Sequence, residues 1–334
     1  MQVVFVTHDG RFHCDDVLAC VLFRILYPDG KICRTRNLDR VKLENRDAEM
    51  FFVDVGEKYD EANNLFDHHQ QDSTIANVTF DDNSKIPLAA SGLFFKKYGV
   101  ECVRKVVDSF GSDEPTSPGY EPDYEALTRK IYFEFVNEIQ ANDNGIWNEY
   151  VLPMACPTFL NLPQIVSKFN DFLNDCIGLT QEGNFMKAVC LVDSLFRQSL
   201  RNIYDTELLY YDLVKRGFKA KEDDTVTLED SRHSAVVNRY LKSNGLQRHF
   251  MIYTETDANN EQCFVAKRLA GSKRKLSRPS TMDDEEFKSK VICIHKNGFL
   301  AKARSEDTLD EIISTSRTPP AKIQIPPPWI SGFL

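Results

Sequence analysis

The sequence predicts an α/β protein with a parallel-sheet N-terminal domain, a helical linker and a smaller α+β C-terminal domain. Three observations carry this. Short, continuous apolar runs of buried-strand length alternate with segments of helical periodicity over the first 146 residues. From about residue 147 the pattern is mainly helical, and the last third returns to strand-like stretches. The chain has 334 residues, 42% hydrophobic and 27% charged, so it is long enough to divide a large core between two domains.

In order, "VVFVT" reads as a buried strand and "CDDVLACVLFRILYP" as a helix stopped by Pro28. "KICRTR" and "MFFVDVG" read as further strands. "AASGLFFKKYGVECVRKVV" and "ALTRKIYFEFVNEIQAND" carry helical spacing, the second stopping at Gly145. "FNDFLNDCIGL" and "GNFMKAVCLVDSLFRQSLRNIYDTELLYYDLVKR" are helices, the latter long enough to connect two halves, and "KEDDTVTLEDS" is a charged loop or edge element. "QRHFMIYTE", "EQCFVAKRL" and "VICIHK" form a small second sheet, followed by "EDTLDEIIS" as a short helix. The tail "RTPPAKIQIPPPWISGFL" is expected to be extended or poorly ordered, with Trp329 and Phe333 as its candidate docking residues. The expected boundaries are therefore 1–150, 151–217, 218–316 and 317–334.

No stretch approaches the roughly 18 to 20 apolar residues of a membrane span, and "QVVFVT" follows Met1 without a leader pattern, which predicts an intracellular protein of the cytoplasm or nucleus that uses no membrane. The nine cysteines are scattered without CxxC spacing, as reduced core thiols are. A net charge of -9 disfavours unspecific binding of long duplex nucleic acid but leaves room for a local basic surface. "AKRLAGSKRKLSR", residues 266–278, is the candidate, with Lys267, Arg268, Lys273, Arg274, Lys275 and Arg278 and no acid.

Four of the seven histidines, His8, His13, His68 and His69, fall in two stretches that are also rich in aspartate. His8 ends the first strand, Asp54 ends a later one, and ligands in parallel sheets gather beyond those carboxyl ends. Carboxylate oxygen suits Mg²⁺ or Mn²⁺, and added imidazole shifts preference toward the transition metals. His8, His13, Asp15, Asp54, His68 and Asp143 are the expected ligands of two divalent ions, Mn²⁺ or Mg²⁺, spaced about 3.5 to 4 Å apart in a site suited to phosphoryl hydrolysis. Asp16 reads as a cap of the helix starting near Cys14 and is left outside the site. An aspartate closing an apolar strand, as Asp54 does, needs a cation or hydrogen bonds.

The ordered segments "THDGRFHCDDVLA", "VDVGEKYD", "FDHHQ", "AASGLFFKKYG" and "ANDNGI" resemble the MYG family, the melanocyte-proliferating-gene exonucleases related to the DHH phosphoesterases. The likeness extends to "FMKAVCLVDSLFRQSL", "MIYTE" and "VICIHKNGF", and so spans most of the chain. It implies a DHH-like catalytic domain at 1–150, with His8, His13 and Asp15 in the places of a histidine and two acids. It also implies Asp54 as a bridging ligand, His68 and Asp143 as ligands, Asp67 orienting His68, and His69 facing the scissile phosphate. In the C-terminal domain the resemblance implies a substrate grip. His295 and Arg304 are kept, but Ala301, Lys302 and Ala303 replace a glycine pair and a histidine, leaving His295, Lys302 and Arg304 as the substrate-binding candidates.

The activity implied is a metal-dependent 3′ to 5′ exonuclease on single-stranded RNA, with DNA also open. The alternatives are a phosphoesterase for short oligonucleotides, cyclic dinucleotides or pyrophosphate, and a non-enzymatic metal-binding relative. A homodimer is compatible with the sequence, and mitochondrial import, which occurs in relatives, stays open beside cytoplasm and nucleus.

Overall fold

The structure, a computed structural model, describes residues 2–70, 78–110, 118–146, 161–170, 181–216, 219–220, 225–257 and 259–316. The proline-rich tail with Trp329 and Phe333, and most of "FNDFLNDCIGL", lie outside the described residues. The chain divides into two units, Met1–Asp205 and Thr206–Leu334.

In the first unit, strands β1 (Val3–Thr7), β2 (Lys31–Arg34), β3 (Glu49–Val53), β4 (Tyr59–Asp60) and β5 (Leu65–Phe66) form one sheet in the order β2-β1-β3-β5-β4. The pairs β1/β2, β1/β3 and β3/β5 are parallel, and β4 adds an antiparallel edge. The sheet is buried on both faces. Val4 and Val6 turn toward α2 (Leu38–Glu44) and meet Val41, whereas Phe5 faces α1 (Cys14–Leu26) and α3 (Ala90–Asp108). Two covered faces explain why β1 reads as an unbroken apolar run rather than an alternating one. The Phe5 face is filled with aromatic rings: Phe51 lies 5.7 Å from Phe23 and 6.1 Å from Phe94, and Phe66 lies 5.3 Å from Phe94. Such tilted and edge-on pairs add to the area they bury.

Helix α4 (Tyr124–Ile131) runs through a π-helical turn at Tyr132–Val136 into α5 (Asn137–Asp143). Gly145, at φ +71°, ends it as expected, with the Ile146 amide bonded back to the Ala141 carbonyl. A short α6 (Leu162–Ser167) follows, and then the 36-residue α7 (Gln181–Arg216). The division between units falls within α7, so the expected linker of 151–217 spans it.

The second unit holds β6 (Lys219–Ala220), β7 (Thr225–Thr227), β8 (Phe250–Thr256), β9 (Gln262–Arg268), β10 (Val291–Ile294) and β11 (Leu300–Ala303), in the order β10-β11-β9-β8-β7-β6. Helix α8 (Val237–Ser243) belongs with one face, including Met251 and Val265. Helix α10 (Glu306–Ser314) packs on the other, with Phe250, Ile252 and Ala266. A seven-residue α9 (Asp284–Lys290) precedes β10. One reading is corrected here. "TVT", taken as part of a charged loop or edge element, is an interior strand paired with β8, its Val226 fully buried. "LAKA", where the resemblance has a glycine pair and a histidine, is a strand between β10 and β9. Ala301 and Ala303 point into the core at 0% exposure, and Lys302 alternates outward.

Gln140 joins the helices of the first unit: its Oε1 accepts the Ala89 amide at 2.8 Å, and its Nε2 donates to Ser91 Oγ at 3.0 Å. A Cβ on Gly92 would stand 2.2 Å from that Oε1. Gly92→Ala is therefore expected to destabilise the protein by roughly 1–3 kcal/mol through overpacking, read as a lower denaturant midpoint. A midpoint equal to wild type would mean that Gln140 has room to withdraw.

Candidate metal centre

His8 directly follows β1, Asp54 directly follows β3, and Asp67, His68 and His69 directly follow β5. Because β1, β3 and β5 are neighbours and parallel, their carboxyl ends deliver all five residues to one edge of the sheet. The first turn of α1 adds Asp15 and Asp16, and Asp143 is the last residue of α5. The six ligands expected from sequence, His8, His13, Asp15, Asp54, His68 and Asp143, are thereby brought together. Their ligand atoms fall in groups within 4.8 Å: His8, His13 and Asp54; Asp54, His68 and His69; Asp15, His68 and Asp143.

Asp54 adopts a left-handed backbone, φ +55°, which aspartate tolerates better than most residues but which still carries strain. Its carboxylate is turned to both sides. Oδ2 lies 3.2 Å from His8 Nε2, and Oδ1 lies 3.7 Å from His68 Nε2 and 3.4 Å from His69 Nδ1. His68 Nε2 also stands 3.1 Å from Asp143 Oδ2. Asp15 is fully buried and is held by the Ser91 amide at 3.1 Å and the Ser91 hydroxyl at 2.6 Å.

The electrostatics follow from this crowding. Burial, with Asp143 and Asp54 nearby, drives the Asp15 carboxyl well above its ordinary range, and burial pushes Asp16 up to about 7 despite His8. Burial by itself lowers His8, but the Asp54 contact and the Asp16 charge overcome it and raise it to about 9. His68 is likewise raised to about 9, Asp143 and Asp15 outweighing its burial. Burial opposes ionisation of Asp54, yet His8 and the two imidazoles after β5 hold its carboxyl below the usual range.

The donor set fits divalent metal ions. Asp54 Oδ1, His68 Nε2 and Asp16 Oδ2 are buried without a hydrogen-bond partner, and the 3.1 Å approach of His68 to Asp143 lacks hydrogen-bond geometry. His8 Nδ1 donates to the Asp9 carbonyl at 3.0 Å, which leaves Nε2 facing Asp54 as the nitrogen that would offer a lone pair to a metal ion once its proton is released. Buried oxygens and an imidazole nitrogen that converge without bonding one another are arranged as ligands rather than as a hydrogen-bonded network.

Asp67 is placed differently from what the resemblance implied. Its carboxylate is bonded to His69 and Glu57 instead of His68: Oδ1 accepts from His69 Nδ1 at 2.8 Å and from the His69 amide at 3.0 Å, while Oδ2 accepts the Glu57 amide. Asp67 thus orients His69, whose side chain is 60% exposed on a cavity of about 870 Å³ lined also by His8, His13 and Asp54. Asp67 raises the His69 pKa. Asp16 does cap α1, accepting the His13 amide at 2.8 Å, but its other oxygen faces His8 Nε2 at 3.5 Å, a second role the sequence reading missed. Also missed were Arg11 and Arg36 on the cavity wall and Ser91 and Gln140 behind Asp15. "RF" inside the first motif and "RTR" after β2 were the available signals for the arginines.

The second-unit candidates are not drawn together. His295 sits in the turn between β10 and β11, its ring 4.2 Å from Phe299. Lys302 is ion-paired with Glu255, and Arg304 with Glu261 at 3.1 Å. β11 commits its backbone to ladders on both sides, which removes the bare amides a phosphate grip needs.

Adding Mn²⁺ to metal-stripped protein at about a hundred times its Kd is expected to add about 2.7 kcal/mol of stability, read as a raised thermal midpoint. Asp54→Asn should abolish the rise. A wild-type midpoint indifferent to Mn²⁺ and Mg²⁺ would rule out the metal assignment.

Comparison with known proteins agrees with the resemblance seen in the sequence. The chain is 26% identical to a MYG1 protein of Saccharomyces cerevisiae over 95% of this chain and 96% of that one. It is 27% identical to the MYG1 exonuclease of Bos taurus over 97% and 87%, and 34% identical to that of Homo sapiens over 58% of this chain and 49% of the human one. Among solved structures, RecJ of Thermus thermophilus with Mn²⁺ is similar at 12% identity, covering 92% of this chain and 50% of that one, but its TM-score of 0.22 is too low to align the two folds. The family model MYG1_exonuc, described as an uncharacterised protein family (UPF0160), matches residues 4–316 and so takes in every strand-end motif of the metal centre; this chain belongs to that family.

Proposed function

We propose that this protein is a divalent-metal-dependent phosphodiesterase, and that its activity is exonucleolytic removal of nucleotides from the 3′ end of single-stranded RNA, with single-stranded DNA as a further substrate. The observation that carries the reading is the Asp54 carboxylate, whose two oxygens face His8 on one side and His68 and His69 on the other. Membership of a family whose bovine and human relatives are called exonucleases supports the choice of reaction.

His8, His13 and Asp54 would hold one ion, and Asp15, His68 and Asp143 the other, with Asp54 reaching both. Two divalent ions in such a site supply charge to a bound phosphate and lower the pKa of an attacking water. The protein's own groups do the rest. His69 presents Nε2 to the cavity, because its Nδ1 is tied to Asp67. From there it donates a hydrogen bond to the phosphate, and its proton goes to the leaving ribose oxygen as the P–O bond breaks. Asp67 accepts the Nδ1 proton and so favours the imidazolium, the form in which Nε2 also carries a proton to donate. Ser91 and Gln140 keep Asp15 turned inward.

A phosphoesterase for small substrates is the second reading. It is favoured by the pairing of Lys302 and Arg304 with glutamates, which occupies two cations expected to grip a strand.

Single-stranded RNA labelled at its 3′ or 5′ end, incubated with Mn²⁺ or Mg²⁺, should lose mononucleotides stepwise from the 3′ end. Asp54→Ala and His68→Ala should abolish release, and His69→Gln should slow it by about 10² to 10⁴ with metal affinity kept. Intact RNA beside a cleaved dinucleotide would transfer the assignment to the small-substrate reading.

A further inference from the structure

The second unit contains a cavity of about 590 Å³, built from the end of α8 and the residues that follow it, together with the turn after β9. Its charge is one-sided. The titratable side chains on its wall are Lys242, Arg248 and His249, with no carboxylate among them, in a protein of net charge -9. The turn continues directly into Lys273, Arg274 and Lys275. Lys302 and Arg304 contrast with these, because their partners Glu255 and Glu261 lie at the other end of the β8/β9 ladder, toward the Thr256–Gln262 pair, whereas the cavity adjoins the Phe250–Arg268 end.

Two features make this more than a charged surface. Arg248 Nε is buried and has no hydrogen-bond acceptor, although Nη1 of the same group donates to the Gln247 carbonyl. Among the described residues no carboxylate pairs with this guanidinium, so its charge is left for an anionic oxygen in the cavity that Arg248 lines. The cavity is also edged by Gly245 at φ +64° and Gly271 at φ +85°, both with open space where a Cβ would stand. A left-handed glycine turn without side-chain cover lets an oxyanion approach the backbone.

We infer that this cavity is a binding site for a nucleotide phosphate, with Arg248 and Lys242 as its charged contacts and the Gly271 turn as its backbone wall. The site deepens the nucleic-acid reading above and rests on it, and it relocates anion binding in the second unit from the β11 strand to the β8/β9 end. The phosphate comes either from a single strand or from a free mononucleotide, and the two are separable by experiment.

The test uses the full chain in EDTA, so that the metal centre takes no part. A fluorescein-labelled single-stranded RNA 12-mer is followed by anisotropy across a salt series, and a nucleoside monophosphate by calorimetry. Wild type is expected to bind at least one of them, and K242A/R248A to weaken binding about tenfold or more. For the strand, the slope of log K against log salt should fall by about 1.4, since each phosphate contact on a single strand contributes roughly 0.7. Loss with the 12-mer alone assigns the site to a strand; loss with the mononucleotide assigns it to a free nucleotide. Binding unchanged in K242A/R248A, or no binding of either probe by wild type in EDTA, overturns the inference. RNA release by wild type in Mn²⁺, measured separately, tells whether the hydrolytic reading fails as well. Both side chains are at least partly exposed, so an unchanged thermal midpoint is expected of the variant.

Discussion

The first unit depends on the problem of burying like charges together. Asp15, Asp16 and Asp54 are each no more than 5% exposed, and they share one sheet edge with Asp143 and two largely buried imidazoles. Without cations such a cluster repels itself in a poorly solvated space. Burial and the neighbouring carboxylates favour a proton on Asp15, and the carboxylates beside His8 and His68 favour protons on those rings. Two divalent ions would replace those protons, which is why a cluster costly to bury is suited to bind metal.

The surrounding architecture fixes where those charges meet. Three parallel strands end in register, so their following residues converge without long loops. The segment 9–13 between β1 and α1 is then clamped. Arg34 Nη2 donates to the Gly10 carbonyl at 2.7 Å, and its guanidinium lies 5.3 Å from the Phe12 ring and 4.5 Å from the Phe185 ring. Asn170 bonds both the amide and the carbonyl of Phe12. Phe185 and Asn170 come from the stretch expected to be a linker. That stretch shapes the loop presenting His13 and counts with the first unit for a chemical reason as well as by its packing.

The second unit follows a different rule. Its sheet is mostly antiparallel and covered on both faces, so its small inward residues, Ala266, Ala301 and Ala303, are packing choices. At one end of its β8/β9 ladder Lys302 and Arg304 are matched with glutamates, and at the other Lys242, Arg248 and His249 line a cavity with no carboxylate on its wall. Charge placement, not strand identity, separates a solvated face from a surface that binds phosphate.

The sequence by itself determined the strand-helix alternation of the first unit, the six metal-ligand candidates and the family, because buried parallel strands leave long apolar runs and their carboxyl ends carry the chemistry-bearing residues. It also placed the stop at Gly145, where a left-handed residue is required. The two-residue strands β4 and β5 and the three-residue β7 were beyond it, since so few residues cannot show a period. Tertiary structure alone decided that Asp67 holds His69 rather than His68, that the helix-capping Asp16 also faces His8, and that Lys302 and Arg304 pair with glutamates 47 and 43 residues away in the chain. Each of these turns on which way a side chain leaves a backbone already committed to a sheet or helix. That direction is set by neighbours distant in the sequence, so no local pattern records it.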